Sequence, residues 1–472
     1  MTAYSDAVRF DLLPYINGEG LDLGCGDARP WDWMVGIDIN PGTTQRGPNL
    51  LKDARKLNFI ADKSQDFVFS SYLMNEITEW RDVLPQWWSK VNDNGYLILF
   101  LPITETMNPK DVVDVMQSAR PWQLVEAKIN GEQFFQVYRK RDEPLVMDQP
   151  DPDKICALIK LGAHGDALWA SSVLPHLKEQ GFYTVFYTQD TGEEVLRHDP
   201  HIDRLIKFES RVPLGELGQL FLWMEAKYKH TRILVECVEG TLLPSPQKIQ
   251  YHFPEHIRHK LMDVNYLEMH HGVAKVPMIP RQRFYPNEEE KRWANTIRSH
   301  MAPHVVVLVP NGSSCTKYWP YAPEFARRLL ERHEDLTVVV LGDLRDCEFE
   351  RHRRLAKIGL QWPVRSAMTF CQLADVVVGQ ETGLLNSVAF EKEVHKIVLL
   401  THSSVENLTR DWPNCDSIRM ELDCSPCHRL QYDWTFCNQD ETTKAAKCQA
   451  MISADMVLEK TEQVLARLQA AA

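Results

Sequence analysis

Short runs of consecutive apolar residues alternate along the chain with longer stretches in which apolar positions recur at helical spacing. Among the first 145 residues, the runs at 21–23, 35–39, 66–70 and 96–101 predict strands, and 80–91 predicts a helix ahead of the last of them. Strands interleaved with helices imply a parallel sheet. The stretch closes differently. Apolar runs at 123–129 and 133–139 flank Asn130-Gly131, the strongest two-residue hairpin signal, so an antiparallel hairpin ends this sheet.

A charged, proline-bearing stretch at 139–152 resists regular structure and reads as a linker. A second α/β series follows: strand 155–161, helix 167–180 stopped by Gly181, strand 184–187, helix 214–228 and strand 232–237. Residues 240–290 are irregular and rich in His and Pro. A third series has strands at 305–309, 337–341, 375–378 and 396–400, a helix at 323–332, and a terminal helix at 453–469. The pattern gives three α/β domains, 1–145, 146–290 and 291–472, the last two facing each other across a cleft.

Composition adds limits. The 472 residues are 44% hydrophobic and 25% charged, ordinary globular proportions that exclude a disordered or fibrous chain. A net charge of −12 removes any general attraction to a polyanion, leaving only a local basic cleft for such a partner. No apolar run approaches the ~20 residues of a membrane span, and the N-terminus lacks the basic and apolar regions of a cleaved signal. A soluble, cytoplasmic protein is expected, free or peripheral to the inner membrane, or in a host cytoplasm if phage-encoded.

Asp22-Leu23-Gly24-Cys25-Gly26 ends the first strand, where glycines let a cofactor approach the backbone, and Asp38 ends the second, where a carboxylate can accept from a ribose diol. With the closing hairpin, this segment resembles the class I S-adenosylmethionine-dependent methyltransferases. Residues 21–26 match their first motif, Asp38 their ribose acid, Asp53 in Lys-Asp-Ala the adenine-side acid, and Ser70-Ser71-Tyr72 the fourth-strand exit. The resemblance implies S-adenosylmethionine held by Asp22, Gly24, Gly26, Asp38, Asp53 and Ser71. One departure matters: eight residues, Asp27 to Met34, separate Gly26 from the second strand, so the first crossover helix is shortened or lost. No residue stands out as a base for methyl transfer. The domain either methylates or serves as a scaffold.

Three further loops follow strands. Gly162-Ala163-His164-Gly165-Asp166 presents Asp166 just before a helix, as a helix cap or as a general base. Lys317, in Asn311-Gly312-Ser313-Ser314-Cys315-Thr316-Lys317-Tyr318-Trp319-Pro320, can neutralise a diphosphate, and Thr382-Gly383 would open a helix whose amides point at an anion. Each is also compatible with an ordinary strand-to-helix turn. Together they resemble the ADP-heptose:lipopolysaccharide heptosyltransferase family of GT-B glycosyltransferases over residues 153–470, through Gly165-Asp166, the Lys-x-Trp-Pro element at 317–320 and the Asp-Thr-Gly-x-x-His element at 381–386. That resemblance implies an inverting sugar transfer from a nucleotide-diphosphate donor, without a catalytic divalent metal. Asp166 would deprotonate the acceptor hydroxyl, while Lys317, Thr382 and Gly383 would hold the leaving diphosphate. Glu381 stands where the family has Asp and Asn386 where it has His, which puts the donor sugar in question. Ser313, Asp343, Glu381, Asn386 and His402 are weaker donor-side candidates. A cluster of His252, His256, His259, His270 and His271 with Lys248, Arg258 and Lys260 reads either as a basic lining for an anionic acceptor or as solvated surface.

Of eleven cysteines, Cys424, Cys427, Cys437 and Cys448 gather near the end and suit a structural tetrahedral zinc; free thiols, or a disulfide in an oxidising compartment, are the alternatives. The expected protein is thus a methyltransferase-like domain fused to a GT-B glycosyltransferase. Its acceptor would be a glycan, a lipid-linked glycan or lipopolysaccharide. Two readings compete: sugar transfer to a hydroxymethylated base in phage DNA, and a methyltransferase whose GT-B part only recognises a glycan.

Overall fold

The computed structural model describes residues 4–141 and 150–471. The centre of the expected linker, 142–149, and with it the boundary at 145/146, lies outside the described residues. The chain divides into two compact units, Met1–Asp153 with Ile206–Lys229, and Lys154–Leu205 with His230–Ala472. Among the described residues no helix is long and apolar enough to cross a membrane.

The first unit is built on a seven-stranded sheet: β1 (Gly20–Leu23), β2 (Val35–Asp38), β3 (Leu50–Leu51), β4 (Gln65–Ser71), β5 (Val91–Pro102), β6 (Gln123–Asn130) and β7 (Gln133–Arg139), in the order β3-β2-β1-β4-β5-β7-β6. Strands β1 to β5 pair in parallel, and β7 runs antiparallel to both β5 and β6. The expected hairpin is present, with its turn one residue later than Asn130-Gly131: Asn130 pairs with Gln133, leaving Gly131 and Glu132 as the loop. Gly131 takes the first turn position at φ 60°, a conformation open to glycine at little cost. Helix Trp80–Lys90 buries Trp80, Val83, Leu84, Trp87 and Trp88 in the core beside β1 and β4.

No helix connects β1 to β2, as the eight-residue spacing requires. The buried Arg29 organises the connection instead, donating to the carbonyls of Met34 at 2.6 Å, Asp32 at 3.0 Å, Gln45 at 3.0 Å and Arg46 at 3.2 Å, and to Asn49 Oδ1 at 2.7 Å. Gly36 makes room for it, since a Cβ there would stand 2.7 Å from Arg29 Cδ. Helix Leu217–Lys227, although it interrupts the second series in sequence, belongs to this unit. Lys227 pairs with Asp11 at 2.8 Å, and Asn17 donates to the carbonyl of Lys207 at 3.0 Å.

The second unit carries two sheets. β8 (Ile155–Ile159), β9 (Tyr183–Thr188), β10 (Arg204–Lys207, which straddles the division after Leu205) and β11 (His230–Ile233) lie in the order β10-β9-β8-β11. β12 (His304–Val309), β13 (Leu336–Leu341), β14 (Leu355–Gly359), β15 (Val376–Gln380), β16 (His395–Leu399) and β17 (Cys415–Ile418) form an all-parallel sheet in the order β14-β13-β12-β15-β16-β17. The single helix expected at 167–180 is two, His164–Ser171 and Leu174–Glu179, because Pro175 has no N–H to continue the ladder. One apolar cluster runs from Leu158, Leu168 and Phe186 to Val307, Met368 and Leu385, so these two Rossmann-like sheets share a core. The other face of the six-stranded sheet is covered by helices Ala322–Arg332 and Ala454–Ala471.

Candidate functional site

Open parallel sheets bind ligands beyond the carboxyl ends of their strands, where the strand order reverses. In the four-stranded sheet the reversal lies between β8 and β11; Asp166 follows β8 and Glu239 follows β11. In the six-stranded sheet it lies between β12 and β15; Lys317 follows β12, and Glu381, Thr382 and Gly383 follow β15. The two sets of loops meet. A Cβ on Gly383 would stand 3.1 Å from His164 Cβ, and one on Gly165 would stand 3.2 Å from Asn386 Nδ2. Trp169 Nε1 donates to Asn386 Oδ1 at 2.6 Å.

Asp166 is the third residue of helix His164–Ser171, and its Oδ2 accepts from the Ala163 amide at 2.6 Å. The cap role and a position in the cleft therefore coexist. Burial, then the neighbouring Glu239 carboxyl, raises the Asp166 carboxyl well above the ordinary range, against the pull of Lys160. Lys160, fully buried at the end of β8, pairs with Glu239 Oε1 at 2.5 Å, and this pairing holds its ammonium above the usual value despite burial. Lys160 and Glu239 were not singled out by sequence: only the strand order brings the β11 exit beside the β8 exit.

Lys317 is buried, and its Nζ donates to the Glu381 carbonyl at 2.6 Å, leaving donors for a ligand. Burial lowers its affinity for a proton, while Glu381 and Asp166 act in the opposite direction, so it lies within electrostatic reach of both carboxylates. Glu381 Oε1 accepts from the Thr401 amide at 2.7 Å and from its hydroxyl at 2.6 Å. Burial would raise the Glu381 carboxyl, but His402, Lys317 and the Thr401 donors outweigh it and hold it at about 2. Burial also lowers His402 to about 3, so the ring is neutral at pH 7 and the cation facing Glu381 there is Lys317. Thr382 Oγ1 is buried without a partner at the start of helix Gly383–Ser387. That helix has five residues, so its macrodipole is weak and free amides are what it can offer.

The remaining donor-side candidates separate. Asn386 is consumed by structure: besides the Trp169 bond, its Nδ2 donates to the Thr382 carbonyl at 2.9 Å. Asp343 is tied to Arg345, its neighbour in the turn, at 2.5 Å. Ser313 is exposed on the β12 exit loop. His402 bonds Ser403 Oγ at 2.8 Å and keeps a buried, unpartnered Nε2. Several of the basic residues at 248–271 are internal: His271 bonds Ser172 Oγ at 2.9 Å, His270 bonds the Tyr266 carbonyl at 2.8 Å, and Arg258 donates to the Cys427 carbonyl at 3.0 Å.

In the first unit the order reverses between β1 and β4, and the candidate cofactor residues stand at those strand ends. Gly24 and Gly26 adopt φ 72° and 53°, and nothing lies within 4 Å of a Cβ placed on Gly26. Asp38 Oδ2 accepts from the Gly26 amide at 3.0 Å and Oδ1 from the Asn40 amide at 2.9 Å. Burial raises the Asp22 carboxyl to about 8; its Oδ2 and Ser71 Oγ are buried with no partner. Asp53 is held by Arg55 at 2.8 Å.

Cys424, Cys427, Cys437 and Cys448 line one pocket of about 420 Å³ with Thr401 and His402. Burial, reinforced by neighbouring groups, pushes Cys427 up to about 11 and Cys448 to about 12. Among the described residues no three His, Cys, Asp or Glu side chains are placed to hold one metal ion, so the expected zinc is without support here.

No family model matches the chain, and no curated protein does. Among solved structures it is similar to the E. coli ADP-heptose lps heptosyltransferase II, at 16% identity over 68% of this chain and 100% of that one, with a TM-score of 0.47. It is also similar to the glycosyl transferase family 9 protein of Veillonella parvula, at 14% identity over 68% and 99%, TM-score 0.49. Over 29% of this chain and 90% of the other, it is similar to a SAM-dependent methyltransferase, possible histamine N-methyltransferase, of Thermotoga maritima, at 17% identity and TM-score 0.24.

Proposed function

We propose that the second unit transfers a sugar from a nucleotide-diphosphate donor to a hydroxyl acceptor, with inversion and without a catalytic metal. The observation that carries this reading is the meeting of two strand-order reversals, one bearing Asp166 and the other Lys317, Thr382 and Gly383. Asp166 takes the acceptor proton as the acceptor oxygen bonds to the anomeric carbon; the bond from that carbon to the diphosphate breaks, and its electron pair leaves with the diphosphate. Lys317 and the Thr382-Gly383 turn face the charge that grows on the leaving group. The donor sits on the 291–472 side and the acceptor on the 146–290 side. The acceptor in this reading is a glycan, lipid-linked or lipopolysaccharide-like, and a net charge of −12 disfavours DNA.

Asp166→Asn is expected to lower sugar transfer by about 10²- to 10⁴-fold, the usual worth of a general base, while donor affinity stays within about threefold. Turnover at the wild-type rate in that variant removes Asp166 as the base.

For the first unit, S-adenosylmethionine binding is supported by the unpartnered Asp22 Oδ2 and Ser71 Oγ and by the open space beside Gly26, all at one strand-order reversal. Asp38 would accept the ribose hydroxyls. When bound, this cofactor supplies an electrophilic methyl group.

A further inference from the structure

The proposed base has a second carboxyl group, Glu239, for a neighbour. Glu239 follows β11, the strand paired with β8 across the strand-order reversal, and it acts on Asp166 both through its charge and through a side-chain hydrogen bond. Its Oε1 is fixed by Lys160 at 2.5 Å, and Lys160 is completely buried, so the carboxylate has little freedom to turn away. Its Oε2 is buried and has no donor. Asp166, for its part, spends Oδ2 on the Ala163 amide at 2.6 Å. Two carboxyl groups facing each other in a recess are mutually repulsive unless a proton lies between them. The donor that Glu239 Oε2 lacks is therefore a proton carried by Asp166.

We infer that Glu239, anchored by Lys160, is a positioning carboxylate of the transfer site that shares with Asp166 the proton taken from the acceptor hydroxyl. The inference rests on Asp166 being the base. In the forward step the acceptor O–H bond breaks, its electron pair forms the new bond to the anomeric carbon, and the proton is retained between Asp166 and Glu239 until water removes it. Lys160 balances the charge of the pair, so the site cycles between one proton and none. Charged and titratable groups also face Asp166 from other elements: Lys317 after β12, Tyr266 at the start of helix Tyr266–Ala274, Cys237 just after β11, and Tyr432. Lys317 is the cation among them. It works against the rise that burial and Glu239 impose on Asp166, so the shared proton belongs to the Asp166–Glu239 contact.

The raised Asp166 affinity sets the sign of the pH dependence. Transfer is low where the pair carries its proton, and it rises with pH as the proton leaves, near neutrality rather than near pH 4. Glu239→Gln keeps an acceptor for Lys160 and deletes the opposing charge. It is expected to move the acidic limb of the pH–rate profile down by about one unit or more. Glu239→Asp keeps the charge and should leave the limb near its wild-type position, which a loss of folding would not do. Carbon-13 NMR of aspartate-labelled protein reads the same pair without any substrate. One aspartate carboxyl should titrate far above the others, vanish in Asp166→Asn, and move down in Glu239→Gln. An Asp166 signal that titrates in the ordinary range, or that Glu239→Gln leaves in place, overturns the inference. Full turnover by Asp166→Asn would instead remove the base while leaving the NMR result for the pair intact.

Discussion

Glu381 shows how burial and charge are balanced in the site. It is 4% exposed, yet its carboxyl is held at about 2 because His402, Lys317 and the Thr401 donors outweigh the cost of burial. A carboxylate lowered in the folded state stabilises it above the unfolded value of about 4.5, and that contribution is lost as pH falls toward 2. Glu381→Gln should therefore cost about 1–3 kcal/mol at pH 7 by denaturant titration, with the gap to wild type narrowing below pH 4.5. A gap that is constant with pH would mean that the charge is irrelevant. Asp22 has the opposite sign. Its carboxyl is raised to about 8, so its neutral form belongs to the fold, and stability falls as pH rises from the unfolded value of 3.8 to about 8, then levels off. Asp22→Asn should flatten this fall between about pH 4 and 8 in thermal melts of the first unit. Asp166 and Lys317 were legible in sequence because each follows an apolar strand in a glycine-bearing loop. Glu239 was not, since Glu236-Cys237-Val238-Glu239-Gly240 carries no pattern beyond a strand exit, and its partner Asp166 lies 73 positions earlier.

Elements divide along a similar line. Strands buried on both faces, such as β12, β13 and β15, announce themselves as unbroken apolar runs and were read within a residue or two. β3, β10 and β14 stand at sheet edges with largely half-buried or exposed side chains, and their sequences carry no such run. The loops that join strands to helices carry the chemistry through close backbone approach. At Gly312 a Cβ would lie 2.7 Å from Lys317 Cδ and 3.3 Å from Thr382 Cγ2. Gly312→Ala must therefore shift the lysine, and transfer should fall about a hundredfold, the scale of a ~1 Å misplacement, with little change in melting temperature. A proportional loss of stability and activity would point to general unfolding of the loop instead.

On the scale of the whole molecule, the three α/β series were legible as three sheets, but which residues join which compact unit was only partly so. Residues 206–229 read as part of the second series, yet they belong to the first unit, because their partners Phe10, Asp11 and Asn17 lie about 200 residues away and leave no local signal. The four cysteines show what spacing can convey: it brings the thiols to one pocket wall, as the sequence suggested. Calorimetric titration with S-adenosylmethionine should give saturable heat that Asp38→Ala weakens at least about tenfold, since that change removes the acceptor of the Gly26 amide as well as the expected ribose contact. Absence of heat would leave the first unit a scaffold. The central claim concerns the second unit, and a panel of nucleotide-diphosphate sugars tests it most directly. Release of nucleoside diphosphate from one member of the panel is expected with the wild-type chain, and its loss with Asp166→Asn and with Lys317→Met. No release and no binding across the panel, or release that survives both substitutions, would contradict sugar transfer at this site.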